Sequence, residues 1–210
     1  MHSLRTASFA LFCLVLASIP ASAGSLYSNG PLNGNYDAWT INFGYVVSDN
    51  FTVSYTTATG FDFYTWSYPG DTPLAVDWSI TGQENGGTVY GSGTGANLSN
   101  TIISTNSYGY QINYDRVSGL NVSLAGGSYW LNLQNAVTSQ GNPLYWDEND
   151  GPSLASESSI GTIGSEAFGI LGACSGNSPD CGPPTPEPSS ILLFGSGVVG
   201  LATLLRRKLS

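Results

Sequence analysis

The stretch Leu74-Ala75-Val76-Asp77-Trp78-Ser79-Ile80 decides the fold class. Its large apolar residues occupy every second position, with small or charged residues between, which is the period of a strand that buries one face and wets the other. Working outward, the same alternation returns in Trp39-Thr40-Ile41-Asn42-Phe43 and in Phe51-Thr52-Val53-Ser54-Tyr55. It recurs at Tyr108, Tyr110, Ile112 and Tyr114, at Leu120, Val122 and Leu124, at Tyr129, Leu131 and Leu133, and at Phe168 and Ile170. Pro69-Gly70-Asp71, Asn85-Gly86-Gly87, Ala125-Gly126-Gly127 and Gly141-Asn142-Pro143 punctuate these runs as turns. Apolar spacing of three and four is sustained nowhere between residues 24 and 172. Some eight to ten short strands spaced in this way predict an all-β chain, an antiparallel β-sandwich of jelly-roll-like order over residues 24–172. No repeat of fixed period is present, which sets propellers and solenoids aside.

Composition narrows the chemistry. The chain has 210 residues, 41% hydrophobic and only 9% charged, enough for one cored domain with appendages. Fourteen acidic residues against five basic ones give a formal net charge of -9. Arg116 is the sole base between residues 24 and 186, so the counterion exchange that nucleic-acid binding requires is excluded. The single histidine, His2, lies in the first few residues, and the body contains no lysine. Once the N-terminus is removed, imidazole nucleophile systems, histidine-ligated metals and Schiff-base chemistry have no residues to run on. Only carboxylate chemistry remains, and the expectation is a protein without enzymatic activity.

Both ends read as export machinery. Arg5, the apolar run Ala7 to Ile19 and Ala21-Ser22-Ala23 predict a secretory signal peptide over residues 1–23. Residues 173–188 are a Gly/Pro/Ser-rich spacer. Within it Cys174 and Cys181 are the only cysteines left after signal removal, and an oxidising compartment predicts a Cys174–Cys181 disulfide. Residues 189–210 read as a short transmembrane helix, about 25 Å from Ser189 to Leu205 at about 1.5 Å per residue, closed by a basic stop.

The order Pro186-Glu187-Pro188, apolar helix, Arg206-Arg207-Lys208 resembles the PEP-CTERM sorting signal of Gram-negative bacteria. The resemblance is confined to about the last 25 residues. It implies sorting and cutting by exosortase after transient anchoring in the inner membrane, with the secretion machinery as a further partner. It also implies delivery to the cell surface, the outer membrane or the extracellular matrix, and leaves the role of the body open.

Two groups in the body are candidates for binding. Asp147, Glu148, Asn149 and Asp150 concentrate side-chain oxygens of the kind that hold Ca²⁺, but the spacing is not that of an EF-hand, and a solvated acidic loop is the reading placed ahead of calcium. The same acids are the candidates for a carboxylate-based glycoside hydrolase. Tyr64, Trp66 and Tyr68 run out of phase with Phe61 and Phe63, and Trp130 with Tyr129 and Leu131. Flat rings on the face away from the core are how a sheet stacks on sugars, which would make the domain a carbohydrate-binding module of extracellular polysaccharide. The expectation placed first is a structural or adhesive surface protein.

Overall fold

The computed structural model describes residues 24–173. The expected signal peptide, the expected spacer beyond Ala173 with Cys174 and Cys181, the Pro-Glu-Pro motif and the expected C-terminal helix lie outside the described residues. The described chain is all strand and turn: β1 (Gly24–Ser28), β2 (Ala38–Thr40), β3 (Val46–Val53), β4 (Thr56–Ser67), β5 (Pro73–Gln83), β6 (Gly86–Asn97) and β7 (Ser99–Thr105) form its first half. β8 (Gln111–Leu124), β9 (Gly127–Thr138), β10 (Tyr145–Asn149), β11 (Ala155–Glu157), β12 (Gly161–Ile163), β13 (Ser165–Glu166) and β14 (Phe168–Ala173) complete it.

Two antiparallel sheets result. In the first, β4 is central and pairs with β8 along its whole length, from Thr56 opposite Leu124 to Ser67 opposite Gln111. Its other edge pairs first with β14 and then with β10. β1 flanks β14, β2 and β13 flank β10, and β7 flanks β8. The second sheet runs β12-β11-β3-β9-β5-β6.

The sheets meet over a single apolar core. Phe61 and Phe63 of β4, Trp146 of β10 and Phe168 and Ile170 of β14 pack with Val47 and Phe51 of β3, Val76, Trp78 and Ile80 of β5, and Leu131 and Leu133 of β9. Trp146 stands edge-on between Phe63 and Phe168, with centroids 6.1 and 5.6 Å away, and its indole N–H donates to the Ala167 carbonyl at 3.1 Å. A buried Trp so placed contributes area, ring geometry and a satisfied polar tip together. At Gly60 two strands come close: a β-carbon there would stand 2.5 Å from the Val117 carbonyl, and the β4–β8 register shifts between Ala58 and Gly60.

Several local readings are corrected. Leu74, expected on the core face with Val76, is 45% exposed, because the β5–β9 register shifts between Pro73 and Asp77. Phe43 is exposed in a turn at φ 56°, and Tyr55 lies beyond the end of β3, so neither continues its strand inward. Residues 86–105 carry little apolar alternation, yet they form β6 and β7, which edge the two sheets and leave most of their side chains exposed. An edge strand needs only a backbone partner, so its sequence escapes the period that marks a half-buried strand.

Candidate functional site

The outer face of the first sheet is aromatic. On β4, Asp62, Tyr64 and Trp66 occupy the phase opposite Phe61 and Phe63, and each faces a β8 residue directly across: Arg116, Tyr114 and Ile112. The series Tyr108, Tyr110, Ile112 and Tyr114, expected to point inward, therefore lies on this outer face. The inward phase of β8 carries Asn113, Asp115 and Val117, all buried. The inversion escaped the sequence because a row of aromatics on a sheet face has the same period whichever face it occupies.

The rings contact one another. Tyr64 and Tyr114 lie 5.4 Å apart, Trp66 stacks on Tyr108 at 6.0 Å, and Tyr110 meets Trp66, Tyr68 and Tyr145 at 5.9, 5.2 and 5.7 Å. From Asp62 to Tyr68 the row spans about 20 Å at about 3.4 Å per residue. Tyr108 is 64% and Tyr68 40% exposed, while Trp66 is buried beneath its neighbours. Tyr64, Trp66 and Tyr68 are thus brought together, whereas Trp130 lies on β9 of the other sheet, beside Asn50 and Thr81.

Polar groups border the row. Tyr114 donates to Asp62 Oδ2 at 2.7 Å, and Arg116 approaches the same oxygen at 3.8 Å. Burial, then the Asp62 hydrogen bond, pushes the Tyr114 hydroxyl up to about 12; burial, then the neighbouring Tyr68, raises Tyr145 as well. These phenols stay protonated at any physiological pH and can donate hydrogen bonds.

The acidic stretch is not a solvated loop. Residues 145–149 are strand β10, so Asp147 and Glu148 leave on opposite faces. Asp147 accepts from Trp66 Nε1 at 2.6 Å, from the Gly34 amide at 2.8 Å and from the Asn33 amide at 2.9 Å. Burial raises its pKa while these donors hold it down. Glu148 accepts from Trp39 Nε1 at 2.8 Å, Asn149 donates to the carbonyls of Asn29 and Pro31, and Asp150 is exposed. Asp147 and Asn149 thus hold residues 29–34, Glu148 holds Trp39, and Asp150 faces solvent. Among the described residues no three His, Cys, Asp or Glu side chains come together as a metal set. What Asp147 and Asn149 do instead is pin residues 29–34 over the aromatic sheet.

Fold and face together define a two-sheet antiparallel β protein with one aromatic, hydroxyl-rich surface. The chain's far end matches the model of the PEP-CTERM protein-sorting motif over residues 184–208. The match marks an exported protein, sorted by exosortase through a transient membrane stage. No curated protein matches the chain.

Proposed function

We propose that the body is a non-catalytic, sugar-binding adhesive module of the cell surface or extracellular matrix, which the sorting signal delivers to extracellular polysaccharide. The observation that carries this reading is the cluster of Tyr64, Tyr68, Tyr110 and Tyr145 with the exposed Tyr108, packed over the buried Trp66 on the outer face of the first sheet. Flat rings cover the apolar faces of pyranoses, and protonated phenols with flanking amides meet their hydroxyls. The strand order β1-β14-β4-β8 facing β3-β9-β5-β6 supports a jelly roll, in which such a face is broad and regular.

A binding role suits the carboxylates on this face better than hydrolysis. Asp62 is engaged by Tyr114 and Arg116, and Asp147 by three N–H donors, so neither is free to protonate a leaving group or attack an anomeric carbon.

Two measurements test the two halves. Glycan-array binding by the exported protein, lost in Tyr68→Ala/Tyr108→Ala, supports the module; absence of binding to any polysaccharide returns the domain to a purely structural role. Intact mass from the native host should show a chain beginning at Gly24 and cut near Pro188. Surface protein that still carries residues 206–210 overturns exosortase processing.

A further inference from the structure

With the outer face of the first sheet as the sugar platform proposed above, on which this inference rests, its charges decide which polysaccharide it takes. Arg116 is the only Lys or Arg among the described residues, and it stands at one end of the aromatic row, directly opposite Asp62. Its Nη2 lies 3.8 Å from Asp62 Oδ2, and the same oxygen accepts from the Tyr114 hydroxyl at 2.7 Å. The side chains are 39% and 17% exposed, so a chain lying on the row can reach the pair. Gly169, the register partner of Asp62 on β14, leaves the carboxylate its place, since a β-carbon there would stand 2.7 Å from Oδ1. Burial raises the pKa of Asp62, and the Tyr114 hydrogen bond and the Arg116 charge pull it back toward the ionised form.

An acidic polysaccharide is gripped by cations that meet its carboxylates or sulfates, best of all by a forked guanidinium. The guanidinium on this face already has a carboxylate before it, and a sugar anion brought to Arg116 would lie against Asp62. Asp147 is a second carboxylate on the same face, in phase with Tyr145 on β10. The whole chain carries a formal charge of -9, so the field over the platform repels polyanions at low ionic strength. A neutral pyranose chain meets neither obstacle: its ring faces stack on the tyrosines and its hydroxyls bond to their phenols.

We propose that the platform selects uncharged polysaccharide, and that Asp62 sets this selectivity by neutralising the one cation on the face. The ligand class is a neutral pyranose polymer; polymers bearing uronate or sulfate groups are refused.

Affinity electrophoresis of the exported protein tests this, in gels carrying neutral glucan, mannan, galactan or xylan, and in gels carrying alginate or polygalacturonate. The neutral polymer that retards the protein most is then set against its own carboxymethyl derivative, which differs only in charge. At about 20 mM NaCl the derivative should bind about tenfold more weakly or worse, and the gap should narrow at about 500 mM. Asp62→Asn keeps the shape and an oxygen for Tyr114 while freeing Arg116, and should recover several-fold of the lost affinity for the derivative, with neutral binding held within about twofold. Wild-type protein that binds alginate, polygalacturonate or the derivative as tightly as the neutral polymer overturns the selectivity and leaves the sugar platform standing. Retardation by no polymer of either kind overturns the platform itself, and the selectivity with it. An Asp62→Asn protein that discriminates as sharply as wild type overturns the role of Asp62; if that variant does not fold, the wild-type comparison decides.

Discussion

Trp66 and Asp147 are bonded to each other: the indole N–H of the central strand donates to Oδ1 of the β10 carboxylate at 2.6 Å. The ring is thereby fixed edge-in under Tyr108, and the carboxylate is turned toward the loop at Asn33 and Gly34. A residue that looks like a sugar-stacking ring and one that looks like a calcium ligand are a single structural joint.

Breaking that joint should loosen the N-terminal loop before anything else. Asp147→Ala leaves three N–H donors unpaired, each worth roughly 1–3 kcal/mol if it stays buried, and the total should exceed about 3 kcal/mol. Hydrogen exchange at Asn33 and Gly34 should accelerate beyond the global change. An Asp147→Ala protein with unaltered exchange at both amides would show that the loop is held by other contacts.

The aromatic row should separate binding from stability. Tyr108→Ala removes an exposed ring and should weaken polysaccharide binding up to about tenfold, the effect of one aromatic contact, with little change in melting temperature. Trp66→Ala removes a buried ring and a hydrogen bond, and should cost about 3–5 kcal/mol of folding stability. Parallel titration and melting of the two variants tests the split; equal destabilisation would place Tyr108 in the core rather than on the platform.

Acid should stabilise the fold through Asp115. This carboxylate is buried opposite Phe63, and burial pushes it from 3.8 up to about 6, although Thr65 Oγ1 and Asn100 Nδ2 donate to it at 2.6 and 2.8 Å. Its folded value lies above the unfolded one, so the folded state holds the proton more tightly. The resulting stabilisation is complete below the unfolded value and is lost as pH climbs to about 6, with an amplitude of about 3 kcal/mol. Urea melts across this window should show stability falling as pH rises, and Asp115→Asn should flatten the slope. A slope unchanged in the variant would assign it to other carboxylates.

Gly60→Ala tests the close approach of β4 and β8. The new methyl would stand 2.5 Å from a backbone carbonyl, which cannot swing aside as a side chain does, so β4 and β8 must part locally. The expected loss is about 1–3 kcal/mol by urea denaturation, in line with overpacking elsewhere. Gly95→Ala adds its methyl into open space, where only its positive φ opposes the change, and should cost less.

The alternation in Val76, Trp78 and Ile80, in Phe51 and Val53, and in Tyr129, Leu131 and Leu133 was sufficient to place these side chains in a β core, because each strand buries one face and the period is local. The sorting motif at Pro186-Glu187-Pro188 and Arg206-Arg207-Lys208 was equally legible, since a signal read by membrane machinery is written in consecutive residues. Tertiary structure alone decided which face of β8 is inside, because Tyr110, Ile112 and Tyr114 alternate identically whether they point into the core or onto the surface. It also decided that Trp66 lies under Tyr108 while Trp130 is on the other sheet beside Asn50 and Thr81, and that the Glu166 amide meets Asp49 across 117 residues of chain. Period reports that a strand has two faces; which one is covered, and what a carboxylate meets there, depends on partners far away in sequence.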